Sequence, residues 1–127
     1  MNLLLDTHAF IWFMEGDSSL SEKSREAITN IQNNCFISIA SLWEIAIKFH
    51  LGSLKLTSDF SNIATFLEEN QIELLPVSFN HLQKLITLEY YHRDPFDRII
   101  ISQALTEELT IVSKDVNFPK YTGDLLW

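Results

Sequence analysis

A chain of 127 residues has room for one domain and should bury roughly two-thirds of the surface of its unfolded state. Its residues are 46% hydrophobic, with only three Gly and three Pro, which excludes a disordered or low-complexity chain. The net charge of −8 excludes general electrostatic attraction to nucleic acid. Any such attraction would have to be local, through bound divalent cations and a few placed bases.

The first apolar run, residues 3–5, is interrupted at once by Asp6, and no basic segment precedes it. We therefore expect a first β-strand here and not a signal peptide. No stretch of about 18 uncharged apolar residues occurs, so no membrane span is predicted. The single cysteine, Cys35, has no intramolecular disulfide partner, which is typical of a protein of the reducing cytoplasm.

Short β-prone runs alternate with longer runs of helical period along the chain. The pattern predicts strands near residues 3–5, 35–38, 72–77, 110–113 and 125–127. It predicts helices over residues 7–14, 21–31, 41–51, 60–69, 79–89 and 95–107. Gly52 is expected to end the third helix as its C′ glycine. This alternation predicts an α/β domain with a central parallel sheet of four to five strands, flanked by helices on both faces.

Four acidic side chains are predicted to lie at one edge of that sheet. Asp6 directly follows the first strand, and Asp115 lies two residues beyond the fourth. Glu44 is placed in the first turn of the helix after the second strand, and Asp97 in the first turn of the last long helix. Ligands of open parallel sheets bind beyond the carboxyl ends of the strands, so the four acids form a candidate site.

Each acid taken alone also fits a structural role. Ser41 and Glu44 have the spacing of a capping box. Asp94 has the position of an N-cap residue that precedes an N1 proline, and Asp97 that of a first-turn acid. Asp6 could cap the helix that follows it, and Asp115 could belong to an ordinary turn.

Taken together, the four acids indicate a metal site. Two like charges about 4 Å apart cost on the order of 4 kcal/mol at an effective dielectric near roughly 20. A helix N-terminus offsets only about 0.3–1 kcal/mol of that cost. Oxygen ligands, with no His or Cys at metal-binding spacing, favour Mg²⁺ or Mn²⁺ over Zn²⁺. The chemistry that this suggests is metal-assisted hydrolysis of a phosphodiester.

Four segments together closely resemble the landmarks of VapC-type PIN-domain toxins. They are residues 4–9 (LLDTHA), 38–48 (SIASLWEIAIK), 92–98 (HRDPFDR) and 113–115 (SKD). The resemblance covers residues 1–127 and implies a single PIN-like domain of three layers. It places Asp6, Glu44, Asp97 and Asp115 at the catalytic, metal-binding acid positions. It places Ser113 at the position of a supporting hydroxyl.

The resemblance also implies Mg²⁺- or Mn²⁺-dependent endoribonuclease activity, a small antitoxin protein as partner, and a homodimer. The alternative is an inactive PIN-like module that binds a partner protein or RNA without cutting. A receiver domain or a haloacid-type phosphatase would need a second acid beside Asp6, where Thr7 and His8 stand. Asp94 competes with Asp97 for the fourth acid position.

The basic side chains near the acids have two interpretations each. Lys48, four residues after Glu44, either forms a simple helix-face ion pair or has a functional role, in which it holds Glu44 in place or contacts substrate phosphate. Arg98 either contacts RNA phosphate or belongs to a surface ion pair. His8 and His92 are interpreted as packed beside turns and not as acid–base groups.

The predicted first helix, residues 7–14, is apolar nearly all round. One of its faces is therefore expected to meet another chain.

Overall fold

Five parallel strands form the centre of the computed structural model, which describes residues 1–127. They are β1 (Asn2–Leu5), β2 (Asn34–Ser38), β3 (Ile72–Leu75), β4 (Thr110–Val112) and β5 (Leu125–Leu126). Their order in the sheet is β3-β2-β1-β4-β5, and every neighbouring pair is parallel. The predicted α/β class with a central parallel sheet is confirmed.

Six helices connect the strands, and all six were predicted. They are α1 (Thr7–Glu15), α2 (Glu22–Thr29), α3 (Ile39–His50), α4 (Asn62–Glu69), α5 (Phe79–Leu85) and α6 (Pro95–Glu107). A 3₁₀ turn at Phe118–Lys120, which the sequence pattern did not predict, follows β4. Gly52 has a φ of 77° directly after the last residues of α3, as expected for a C′ glycine.

Three consecutive leucines make β1 the centre of the core. Leu3 and Leu5 belong to the apolar cluster on one face of the sheet, and Leu4 to the cluster on the other. All three are fully buried, which explains a continuous apolar run in place of alternation. Residues of α1 to α4 cover the first face, and residues of α6 cover the second. The carboxyl end of β1 thus opens between two helical layers.

The third helix begins earlier than predicted, at Ile39 and not at Ser41. The Ser38 side chain caps it by accepting a hydrogen bond from the Ala40 amide at 3.0 Å. Glu44 is therefore the sixth residue of α3, in its second turn, and the capping-box interpretation of Ser41 and Glu44 is wrong. The Ser41 hydroxyl instead accepts a buried hydrogen bond from the Thr7 hydroxyl at 3.0 Å, which joins α3 to α1.

The apolar side chains of α1 pack largely within this chain, and the expected contact of this helix with another chain stays a prediction. Ala9 and Phe10 are buried, and residues 11–14 pack half-buried against the first core cluster. The exposed apolar side chains lie on other elements, chiefly α3 and α5. No helix is long and apolar enough to cross a lipid bilayer.

Candidate metal centre

Asp6 stands at the carboxyl end of β1 and caps α1. Its Oδ1 accepts a hydrogen bond from the Ala9 amide at 2.7 Å, so its predicted capping role is confirmed. The carboxyl is almost fully buried. Burial raises the pKa of Asp6, the hydrogen bonds from Ser113 and Ala9 oppose the shift, and the charge of Asp115 adds to it. The carboxylate is thus both buried and close to a second acid.

Asp115 reaches the same place from the loop after β4. Its Oδ1 accepts from the Asn117 amide at 2.8 Å, which is an ordinary turn contact. Its own amide donates to the Ser113 hydroxyl at 3.0 Å. Ser113 is buried at the same edge of the sheet, and its hydroxyl lowers the pKa of the Asp6 carboxyl. The supporting role that the resemblance gave Ser113 stays a prediction.

Asp97 lies in the first turn of α6 behind the cap residue Asp94. The Asp94 Oδ1 accepts from the amides of Phe96 and Asp97 at 2.9 and 3.1 Å, so Asp94 serves the helix start. The Asp97 Oδ2 lies 2.8 Å from His92 Nε2. Burial raises the pKa of Asp97 to about 6, the His92 hydrogen bond opposes the shift, and the charges of Asp94 and Glu44 add to it.

Glu44 faces Asp97 from α3 and is only 4% exposed. Its Oε2 accepts from Lys48 Nζ at 2.7 Å, whereas its buried Oε1 has no hydrogen-bond partner. The bond to Glu44 raises the pKa of Lys48, with the charges of Asp94 and Asp97 adding to the shift. Because an unpartnered buried carboxylate oxygen is costly, this oxygen fits the role of a cation ligand.

The structure brings the predicted acids together and adds one residue to them. Ligand atoms of His92, Asp97 and Asp115 all lie within 4.8 Å of one another. Asp6 adjoins this group beside Asp115, and Glu44 adjoins it beside Asp97. The prediction that no histidine stands at metal-binding spacing is therefore wrong. His92 opens the segment 92–98 that carries the resemblance, five residues before Asp97, but its ring was interpreted as packed beside a turn.

Arg98 points away from the acids into the loop that precedes α6. Its Nη1 donates to the carbonyls of Glu89 and His92 at 3.0 and 3.3 Å, and its guanidinium lies 4.7 Å from the Tyr90 ring centroid. Tyr121 completes the contact, because its hydroxyl accepts from Arg98 and donates to the Glu89 carbonyl. These bonds hold the loop that carries His92; the predicted contact of Arg98 with RNA phosphate stays a prediction.

This arrangement has the chemistry of a divalent-cation site. Four carboxylates converge, burial or mutual charge raises the pKa of two of them, and one buried oxygen lacks a partner. A divalent cation would relieve all three features, and carboxylate oxygens are the ligands that Mg²⁺ and Mn²⁺ prefer. Fold and site together define a class of α/β protein with a cluster of acids at the carboxyl edge of a parallel sheet.

Within that class, the chain belongs to the PIN domain family, because the sequence model of that family matches residues 3–124. No curated protein sequence matches it. Solved structures share its fold at low identity. The VapBC2 complex of Rickettsia felis bound to a promoter DNA fragment has a TM-score of 0.70 and 18% identity, covering 99% of this chain and 96% of that one.

Two further structures give similar values. The VapBC-1 structure of nontypeable Haemophilus influenzae has a TM-score of 0.67 and 18% identity, covering 100% and 96%. A toxin–antitoxin complex from Klebsiella pneumoniae has a TM-score of 0.63 and 17% identity, covering 98% and 96%. The predicted membership of the PIN class is confirmed, and these neighbours agree with the predicted resemblance to VapC-type toxins.

Proposed function

We propose that the protein is a VapC-type toxin, an endoribonuclease that hydrolyses RNA phosphodiester bonds with Mg²⁺ or Mn²⁺. One observation carries this proposal, namely the convergence of four carboxylates with an unpartnered buried oxygen on Glu44. A structural role for each acid explains the caps and turns, but it does not explain why buried acids face one another. Family membership supports a nuclease.

In this proposal, Asp6, Glu44, Asp97 and Asp115 hold the ion. When bound, Mg²⁺ or Mn²⁺ supplies positive charge for the phosphate oxygens and lowers the pKa of a water. The Glu44 Oε1 and the Asp97 oxygen not bonded to His92 are the atoms with free capacity on their side of the cluster. The reaction joins the oxygen of water to phosphorus and breaks one phosphorus–ribose oxygen bond, and one proton of the water ends on the released ribose oxygen.

The neighbouring side chains then act by positioning the acids. His92 fixes the rotamer of Asp97 through its 2.8 Å bond, as outer partners of metal-binding carboxylates do. Ser113 holds the relative placement of Asp6 and Asp115. Lys48 holds Glu44, and its side chain is 46% exposed, so the ammonium also stands at the border between the acids and solvent.

We expect purified protein to cleave single-stranded or looped RNA in Mg²⁺ or Mn²⁺ and to stop when EDTA removes the ion. Cleavage products would be resolved on denaturing gels, with metal added back as the control. Undiminished cleavage in EDTA would contradict the metal mechanism. Binding of RNA without cleavage in any divalent metal would favour the inactive module.

The same proposal gives the protein a small antitoxin as its partner and places both in the cytoplasm. The similarity to toxin–antitoxin structures supports this partner. The acidic site and the net charge of −8 favour an antitoxin segment that combines basic and bulky apolar residues. A basic side chain placed among the carboxylates would neutralise them as a cation does.

We further propose a homodimer through the apolar face formed by α3, α5 and the start of α6. A groove of about 450 Å³ lies there. It is lined by Ile39, Ala40, Trp43, Val77, Leu82, Pro95, Phe96 and Ile99. No charged residue lines the groove, so two copies of a chain of charge −8 can meet here without opposing their acids. Apolar interfaces of this kind are typical of permanent dimers.

Leu82→Glu is expected to shift the protein from dimer to monomer in analytical ultracentrifugation, because it places a charge in the groove. Leu82 is 43% exposed, so the substitution should not unfold α5. Ile31→Glu is the matched control, since Ile31 is 88% exposed and lies outside the groove. A wild-type protein that remains monomeric at high concentration, or equal effects of both variants, would contradict this interface.

A further inference from the structure

Two tryptophans and a lysine lie together beside the acid cluster. The Trp12 and Trp127 ring centroids are 5.9 Å apart, with the rings inclined at 68°. Lys114 Nζ lies 4.9 Å from the Trp12 ring centroid and 5.8 Å from that of Trp127. Lys114 stands between Ser113 and Asp115 in the chain, so the group is tied directly to the site.

A cavity of about 400 Å³ opens between this group and the acids, and we call it the aromatic pocket. It is lined by Asp6, His8, Trp12, Lys114, Asp115 and Val116. The exposed ring of His8 lies 5.7 Å from that of Trp12, so two aromatic rings line one wall. Asp6 and Asp115, two of the four clustered acids, also line the pocket. The pocket is therefore continuous with the candidate metal centre.

We propose that the aromatic pocket binds one nucleobase of the RNA substrate, next to the phosphate that is cleaved. This inference rests on the proposed function. Every nucleobase has a π-face that stacks on an aromatic side chain, and such stacking changes affinity by about 10-fold or more per base. The volume falls within the range of small-ligand pockets. Trp12 with His8 supplies the stacking surface.

Lys114 gives the pocket a cation that can contact the phosphate of a bound nucleotide. Its ammonium lies over the tryptophan rings, at the place where a stacked base would bring its phosphate. The side chain is exposed, so it can leave the ring for the phosphate as the base takes its place. In a chain of charge −8, this is the basic residue that lines the pocket.

Abasic substitution in the RNA tests the proposal. An RNA that wild-type protein cleaves at one bond is remade with a single base removed at each position around that bond. We expect one abasic position to lower kcat/KM by about 10-fold or more. Trp12→Leu should lower kcat/KM on the intact RNA by a similar factor and cause no further loss at that position, whereas Trp12→Phe should retain the effect of the base.

Lys114→Gln provides a second measurement, because it removes the charge of an exposed side chain and keeps a polar one beside the tryptophan rings. It should weaken RNA binding and reduce the salt slope of log Kd by about 1, as expected for one lost phosphate contact. The proposal would be overturned if the loss caused by Trp12→Leu added to the loss caused by the missing base at every abasic position. An unchanged salt slope for Lys114→Gln would also overturn it, as would Trp12 and Lys114 variants that weaken only antitoxin binding. Absence of any cleavage by wild-type protein would instead refute the proposed function.

Discussion

Asp97→Asn is expected to lower RNA cleavage by more than about 100-fold. Replacing even a side chain that only hydrogen-bonds a metal ligand lowers metal affinity or activity by about 10–100-fold. The change keeps the shape of the side chain and leaves the Asp94 cap of α6 intact. It deletes one charge from the cluster around Glu44. Single-turnover kinetics in saturating Mn²⁺ would measure the effect. Near-normal cleavage together with a destabilised fold would refute the assignment of Asp97 as a ligand.

The stability of the metal-free protein supplies the control for this variant. The pKa of Asp97 is raised from 3.8 to about 6, so the folded state holds this proton more firmly than the unfolded state. The resulting stability is fully present below about pH 4 and is lost as pH rises through 6, on the order of 2–3 kcal/mol. Urea unfolding in EDTA should show this loss in the wild type and much less of it in Asp97→Asn. The variant should be at least as stable as the wild type at pH 8.

Glu44→Gln is expected to lower RNA cleavage about as much as Asp97→Asn does. It should also remove the stabilisation of the fold by added metal. The wild-type melting temperature should rise with added Mn²⁺, because the ion binds only the folded state. The melting temperature of the variant should rise little, since the Gln amide keeps the volume of the Glu44 side chain but not the negative charge that would bind the ion. Lys48→Met should lower the rate of RNA cleavage by only about 10-fold if that lysine only positions Glu44.

The pair formed by His81 and Glu107 offers a matched control for both substitutions. The two side chains lie 2.9 Å apart and join α5 to α6 outside the acid cluster. Glu107→Gln removes an acid that is hydrogen-bonded to a histidine, as Asp97 is, but it should leave cleavage and the response to Mn²⁺ unchanged. An equal loss of activity in Glu107→Gln would show that the effects reflect lost charge or stability and not metal binding.

The sequence predicted the fold class and the convergence of the acids because both follow from short-range patterns. Strands and helices differ in apolar period, and parallel strands bring their carboxyl ends to one edge. The start of α3 was placed wrongly because Ser38 and Ser41 are both good cap residues. What distinguishes them is the Ser41 contact with Thr7, which joins distant parts of the chain. No local pattern contains that information.

His92 was missed for a related reason. Its ring reaches Asp97 because the preceding loop is held in place by Arg98 and Tyr121. Tyr121 also accepts a hydrogen bond from the His92 amide, from 29 positions further along the chain. A histidine in a loop before a helix has many orientations in principle, and only these long-range bonds select the one that meets the acids.

The pairing of β1 with β4 ties the existence of the metal centre to the completion of folding. Leu3 is in register with Thr110, and the Asp6 amide donates to the Val112 carbonyl at 3.1 Å. Contacts so distant in sequence form slowly, since the intervening chain must first be ordered. Asp115 reaches Asp6 only when β1 and β4 are paired, so a fragment that lacks β4 cannot bring these acids together. We therefore expect the proposed activity to appear only in a chain in which β1 and β4 have paired, so that it is gained and lost together with the native sheet.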